Sequence, residues 1–374
     1  MILEVNMTHF NPDMLSIARN FRGLSQTELI AVMGQSITQA SLSKIESGDL
    51  KPSDEVIQNL SNALHFPIRF FEHIEKLNAL PISLHAYRKK SSTTAKALSR
   101  MNAEMMLKMG HVQTLELFTN VPKRKNSLPT FKIGLDVNTP QEAAKKLRSL
   151  WALGNEPLEN LTATVEDAGV LVFLCDFKDN NVDGVSLKMH GVSPCVFLNA
   201  NQPNDRIRFT LAHELGHLVL HDGMVTGDRI TESEANQFAS AFLIPQTMMR
   251  THFPTWFRAG RYDWDKLSEF KQTWKVSKAA ILYRAKSLDL LNETSYRSGF
   301  IHLKRTGEAI LESEDHEIPK EVPTLLNTCF KALSKKGISA MDIANELNIS
   351  LDLLNKITQL DLQPQNPSKL KLVI

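Results

Sequence analysis

The most constraining feature of this chain is Arg206–His221, R-I-R-F-T-L-A-H-E-L-G-H-L-V-L-H. It contains no proline and sets apolar residues on both sides of an H-E-x-x-H core. On a helix, His213 and His217 lie one turn apart and project from the same face. Two neutral imidazoles at that spacing can grip one zinc ion, and Glu214 beside them can take a proton from the attacking water. Five letters recur by chance, so the flanks decide between a metal centre and a core helix with two satisfied histidines. Phe209, Leu211, Ala212, Leu215, Leu218 and Val219 make this a buried helix, with Thr210 a candidate for its cap.

A catalytic zinc needs a third protein ligand and one open position. Thr231–Pro245 reads as a second helix, with Ala235, Phe238, Ala239 and Phe242 on its apolar face and Pro245 near its end. Glu232 and Asn236 are one turn apart on it. A carboxylate ligand at Glu232 would leave Asn236 able to hydrogen-bond a ligating histidine. Glu234 is the rival ligand, but it projects from a different side. Either glutamate alone could be a solvated residue near the positive end of the helix. Taken with the helix before it, the pattern favours Glu232.

The run R-F-T-L-A-H-E-L-G-H-L-V-L-H, then E-x-E-A-N-x-F-A and L-I-P, resembles the ImmA/IrrE family of zinc metallopeptidases over roughly 131–295. The resemblance implies a reduced zincin, in which active-site helices pack on a small sheet. It assigns His213, His217 and Glu232 as zinc ligands and Glu214 as general base. Three strand-length runs, Gly169–Cys175, Gly184–Lys188 and Cys195–Asn199, with a turn at Asp183-Gly184, supply the expected sheet. Arg206 and Arg208 could hold a substrate carbonyl or carboxylate, but structural pairing is the stronger reading. His221 is a candidate oxyanion donor or a surface histidine, and neither Tyr262 nor His252 stands out as the transition-state stabiliser.

The N-terminal segment is helical in a different way. Leu15, Ala18 and Phe21 mark a first helix, and Ser25-Gln26-Thr27-Glu28 forms a capping box for a second. A third runs from about Thr38 to Ser47, stopped by Gly48, and a fourth starts near Ser53. Short helices around a glycine-containing turn fit a helix-turn-helix. R-G-L-S-Q-T-E-L-I and S-L-S-K-I-E-S-G resemble the Cro/repressor (XRE-type) DNA-binding domain over about 11–71. The third helix would enter the major groove, with Thr38, Gln39 and Ser41 facing base edges and Gln39 suited to adenine. Lys44, Lys51 and Gln26 would touch phosphates.

Charge complicates that reading. Acids outnumber bases between Asn11 and Glu75, although phosphate attraction supplies much of the affinity for DNA. The next stretch holds Arg88, Lys89, Lys90, Lys96, Arg100, Lys108, Lys123, Arg124 and Lys125, against only Glu104 and Glu116. With Met101, Met105, Leu107, His111, Leu115 and Leu117 it reads as a long amphipathic helix, either a solvated linker packed on a neighbour or a dimer seam. The formal charge of the whole chain, +2, names no partner. The three cysteines are scattered without a C-x-x-C, which argues against a disulfide framework and a thiolate zinc site.

The expected fold is therefore mainly α with a small α+β zincin core. Its parts are a helix-turn-helix bundle (1–78), a basic helical linker (79–130), a zinc peptidase domain (131–295) and a helical C-terminal module (296–374). That module holds two short helices turning at Asn348. The start lacks a basic region followed by an apolar core, and no stretch is apolar for long enough to span a bilayer, so a cytoplasmic location is expected. The function expected is a homodimeric, operator-binding transcriptional regulator that carries a zinc-dependent endopeptidase. It would cleave itself, a partner repressor or an antitoxin-like protein in response to a signal. The alternative is a transcription factor or antitoxin whose zincin domain senses a ligand or peptide without proteolysis.

Overall fold

The computed structural model describes residues 9–72, 94–119, 126–177, 182–189, 191–224 and 226–364. Part of the basic stretch, Arg88–Lys90 and Lys123–Lys125, lies outside them. Among the described residues one compact unit contains 9–72, 94–119 and 326–364, and a second contains 126–325. The chain is mostly helical, with a small mixed sheet.

The first unit opens with α1 (Pro12–Phe21), α2 (Gln26–Val32), α3 (Gln39–Ser47) and α4 (Asp54–Leu64). Each start is chemically marked. Asn11, Ser25, Thr38 and Ser53 all accept a hydrogen bond from a first-turn backbone N–H, and Ser25 with Glu28 completes a capping box. Gly48 ends α3 at φ 82°, where a side chain would be strained. Leu15, Ala18, Leu29, Leu42 and Leu60 are completely buried between these helices.

The long helix α5 (Ala95–Phe118) belongs to this unit and packs on α1. It is no solvated linker. Met101, Met105, Leu107, Met109, Val112 and Leu115 are buried, as is Lys108, whose Nζ lies 2.9 Å from Glu104. Burial pulls the His111 imidazole down to about 3, so it packs as a neutral ring. The apolar face is thus covered within the chain, except for Leu117, which is exposed.

In the second unit α6 (Pro140–Leu150) and α7 (Leu161–Glu166) precede β1 (Leu171–Cys175), β2 (Gly184–Leu187) and β3 (Cys195–Asn199). The sheet order is β1-β3-β2, with β1 parallel and β2 antiparallel to β3. Then come α8 (Asn204–Leu220), α9 (Arg229–Leu243), α10 (Gln246–Trp256) and the two-residue strands β4 (Phe257–Arg258) and β5 (Arg261–Tyr262). Helices α11 (Trp264–Trp274), α12 (Lys278–Ser287) and α13 (Glu293–Arg305) follow. One core joins Val172, Val196 and Leu198 of the sheet to Leu211 and Leu215 of α8 and Phe238 and Phe242 of α9.

Two local expectations fail here for the same reason. Gly184 does not sit in a turn but opens β2, and Thr210 does not cap α8 but lies buried within it. A Cβ on Gly184 would stand 2.5 Å from Thr210 Cγ2, so the glycine lets the strand approach the helix.

The segment after α13 straps the second unit together. Lys271 of α11 is completely buried and holds Asp205 at 3.0 Å and Glu312 at 2.6 Å, and it also pairs with Asp315. Arg208 pairs with Glu321, whose carboxylate accepts from Leu161 N and Thr162 N at the start of α7. Glu166 in turn accepts from Thr324 N and Leu325 N. Helices α14 (Leu325–Lys335), α15 (Ala340–Glu346) and α16 (Leu351–Thr358) follow, with a turn at Asn348. In the first unit α15 and α16 pack on α5. The expected C-terminal module 296–374 is therefore divided: its first part completes the second unit, and 326 onward completes the first.

Candidate metal centre and nucleic-acid interface

Helix α8 enters the second unit at Asn204 and runs buried almost throughout, with His213 and His217 one turn apart near its C-terminal end. Helix α9 packs against it closely at Gly216. A Cβ there would meet Phe238 Cδ1 at 3.0 Å and Ala235 Cα at 3.3 Å, so any larger residue would push α9 away. That close approach brings Glu232 to the histidines. The two Nε2 atoms are 3.0 Å apart, and Glu232 oxygens lie 3.4 Å from each of them.

The tautomers follow from the partners. His213 Nδ1 donates to Asn236 Oδ1 at 2.9 Å, so its Nε2 presents a lone pair. His217 Nδ1 lies 3.0 Å from His221 Nδ1, and His221 Nε2 lies 2.8 Å from Glu234 Oε2. An ionised carboxylate only accepts, so His221 carries its proton on Nε2 and accepts on Nδ1 from His217. His217 Nε2 therefore also presents a lone pair. Two lone pairs and a carboxylate converging on one point repel one another unless a cation lies between them. For a tetrahedral zinc with ligands at about 2.0–2.1 Å, neighbouring ligand atoms stand about 3.3 Å apart. The observed separations fit that group.

The electrostatics point the same way. Burial favours the neutral imidazole of His213, yet Glu232 and Glu214 outweigh it and raise the pKa. Burial opposes ionisation of Glu232, but the two histidines outweigh it and hold the carboxyl below its usual range. This is a site that attracts positive charge. Burial also lowers His221, which keeps that ring neutral.

Glu214 is buried beside the cluster, and its Oε2 accepts from Ser186 Oγ of β2 at 2.7 Å. Ser186 was not legible as a site residue, because nothing in the sequence pairs a strand serine with a helix glutamate. His221 is neither a surface histidine nor free to meet an oxyanion but is buried against His217, and Glu234, on its different side of the helix, faces His221 rather than the ligand cluster. The i, i+4 spacing of His217 and His221 was the available signal. Tyr262 donates to Ser295 O at 2.7 Å, and His252 packs against Phe270 with the rings tilted by 55°. Arg206 pairs with Asp183 at 2.9 Å.

On the first unit, Gln39 and Lys44 are exposed along α3. Thr38 caps α3 by accepting from Ser41 N at 3.1 Å, and the two hydroxyls share a hydrogen bond of 2.9 Å. Gln26 is drawn inward: its Nε2 donates to Glu46 Oε2 at 2.8 Å, and Arg19 grips the same carboxylate. That network braces α1, α2 and α3 against one another. Lys96 of α5 pairs with Glu28 at 2.7 Å and, with Ser25, pulls that carboxyl down to about 2. The basic helix thus neutralises an acid of α2.

A small mixed sheet carrying a helix with two histidines, followed by a helix with a convergent carboxylate, defines a zincin-like centre, here joined to a four-helix helix-turn-helix bundle. Residues 165–286 match the family described as IrrE N-terminal-like domain, and residues 15–71 match the Helix-turn-helix family. The matched stretches are thus an XRE-type helix-turn-helix followed by an ImmA/IrrE-like domain. No curated protein matches the chain.

Proposed function

We propose that the chain is a DNA-binding transcriptional regulator whose second unit is a zinc-dependent endopeptidase, cleaving the protein itself or a partner regulator when a signal arrives. The observation that supports it most is the convergence of His213, His217 and Glu232 on one point beside the buried carboxylate of Glu214. When bound, zinc would supply Lewis-acid polarisation of the scissile carbonyl. Glu214 takes a proton from the attacking water and returns it to the leaving amine. Ser186, donating to one carboxylate oxygen, orients the other for that transfer. Among the described residues no strand pairs with the outer edge of β2, so an extended peptide could add there and lie across Glu214.

For the first unit, Gln39 at the start of α3 reads the base edge and Lys44 contacts a phosphate, while Thr38 and Ser41 shape the entry of the helix into the groove. Gln26 serves through its brace to Glu46. A palindromic operator requires a homodimer, and a regulator of this kind works in the cytoplasm. Among the described residues no helix is long and apolar enough to cross a membrane.

The test compares new protein N-termini in cells expressing the intact chain or Glu214→Gln. Cuts confined to the intact chain are expected, at rest or under DNA damage or oxidative stress. Identical termini under every condition would favour a ligand- or peptide-sensing domain that does not cut. Gln39→Ala should weaken operator binding by about 1–3 kcal/mol in a titration at fixed salt.

A further inference from the structure

We infer that His221 and Glu234 are positioning residues for the metal centre, a relay that fixes His217 in the tautomer able to bind zinc. The inference rests on the zinc reading above and adds a role for two side chains outside the ligand set. A neutral histidine in water favours neither tautomer strongly enough to guarantee a lone pair on Nε2. Here the choice is made by a chain of contacts. Glu234 Oε2 lies 2.8 Å from His221 Nε2, and His221 Nδ1 lies 3.0 Å from His217 Nδ1. Glu234 requires the proton on His221 Nε2. His221 must then accept on Nδ1, and His217 must donate from Nδ1. His217 Nε2 is left to face His213 Nε2 and Glu232.

The relay divides the E-x-E pair of α9 between two tasks. Glu232 and Glu234 are two positions apart, so they leave the helix in different directions. Glu232 meets His213 and His217, and Glu234 meets His221 one turn further along α8. His221 is almost fully buried, which removes water as a competing partner for its ring nitrogens. Asn236 performs the equivalent task for His213 through a single contact. The longer route to His217 is needed because α9 does not reach its Nδ1 directly: the partner within hydrogen-bond distance is the ring of His221, which caps the C-terminal end of α8.

The test has two readouts on the full-length protein. The first is nitrogen-15 NMR of the histidine rings in the metal-free chain. His217 protonated on Nδ1 and His221 on Nε2 are expected, and His217 protonated on Nε2 overturns the relay. The second is zinc affinity by competition with a chromophoric chelator. His221→Phe should weaken zinc between about 10- and 100-fold, Glu234→Gln less, and the double variant no more than His221→Phe alone. Glu234→Asp should recover part of the loss caused by Glu234→Ala, which general loosening of the fold would not produce. Unchanged zinc affinity and His217 tautomer in folded His221→Phe overturn the proposal. Should His221→Phe not fold, Glu234→Gln and Glu234→Ala decide by the same measures. If the intact chain takes up no zinc while its tautomers are as described, the zinc reading fails and the proposal with it.

Discussion

Two clusters in the second unit each gather three groups that could hold a metal ion, and they solve opposite problems. At the N-terminal end of α8, Asp205, Glu312 and Asp315 surround the ammonium of Lys271, which lies within hydrogen-bond reach of all three. Further along the same helix, His213 and His217, with Glu232 of α9, aim two lone pairs and a carboxylate at a point to which none of the described residues supplies a cation. The first cluster carries its own positive charge on a covalent tether and ties α8 to α11 and the strap. The second, on the function proposed above, takes one from solution. Three metal-capable side chains in proximity are therefore no sign of a metal centre until one asks what already fills the middle.

The largest expected effect comes from removing the tethered cation. Lys271→Met leaves three buried carboxylates without their common partner and should destabilise the second unit by about 3–5 kcal/mol, read from chemical denaturation at pH 7. The pH dependence then separates charge from shape. Burial raises Asp205 and Glu312 above their ordinary values even with Lys271 present, whereas those two carboxylates overcome burial and raise Lys271. A carboxyl raised in the folded state contributes stability below its unfolded pKa of about 4 and loses it as pH rises through the folded value. Without the lysine those folded values climb further, so the variant should recover stability relative to the intact protein as pH falls through the raised folded values. A deficit that stays flat with pH would mean that Lys271 acts by filling space.

The comparison also explains what the sequence could and could not convey. The convergence of His213, His217 and Glu232 was legible because they sit at fixed local spacings: the two histidines on one turn, and Glu232 at the start of the next helix. The helix-turn-helix was legible for the same reason, since Ser25, Glu28, Thr38, Gly48 and Ser53 mark helix ends within a few residues of one another. The Lys271 cluster joins four positions spread from 205 to 315, and nothing at Lys271 itself distinguishes it from a solvated lysine. Ser186 and Glu214 meet only because β2 runs against α8 at Gly184. The long basic helix was recognised as a helix, but its place in the first unit depends on packing against α1 and against α15 and α16, the last two more than 200 residues away. Local periodicity gave its existence; only tertiary packing could give its role.

Removing the untethered cation should have a smaller and reversible effect. Zinc at about 100 times its dissociation constant stabilises the folded state by about 2.7 kcal/mol, so a chelator should lower the thermal midpoint of the intact chain and added zinc should restore it. His217→Ala should hold no zinc, and its midpoint should not respond to either addition. If chelation leaves the intact chain unaffected while Lys271→Met unfolds it, the two clusters differ more sharply than proposed, and the histidine pair is only structural.

The smallest effect is expected at Ser186, where the comparison becomes one of donors rather than cations. In the lysine cluster Glu312 accepts from Lys271 and also from Lys278 N, so loss of one donor leaves another. Glu214 takes its side-chain hydrogen bond from Ser186, across from strand to helix. A hydrogen bond to a charged group contributes about 1.5–3 kcal/mol, part of which a water entering at β2 would replace. Ser186→Ala should therefore lower kcat about tenfold, the effect of about 1.4 kcal/mol, with zinc content and KM little changed. That split places the serine on the general base. Lost zinc at unchanged kcat per bound metal would instead make Ser186 a prop for α8, and the role of orienting Glu214 would pass to the packing of Gly184 against Thr210.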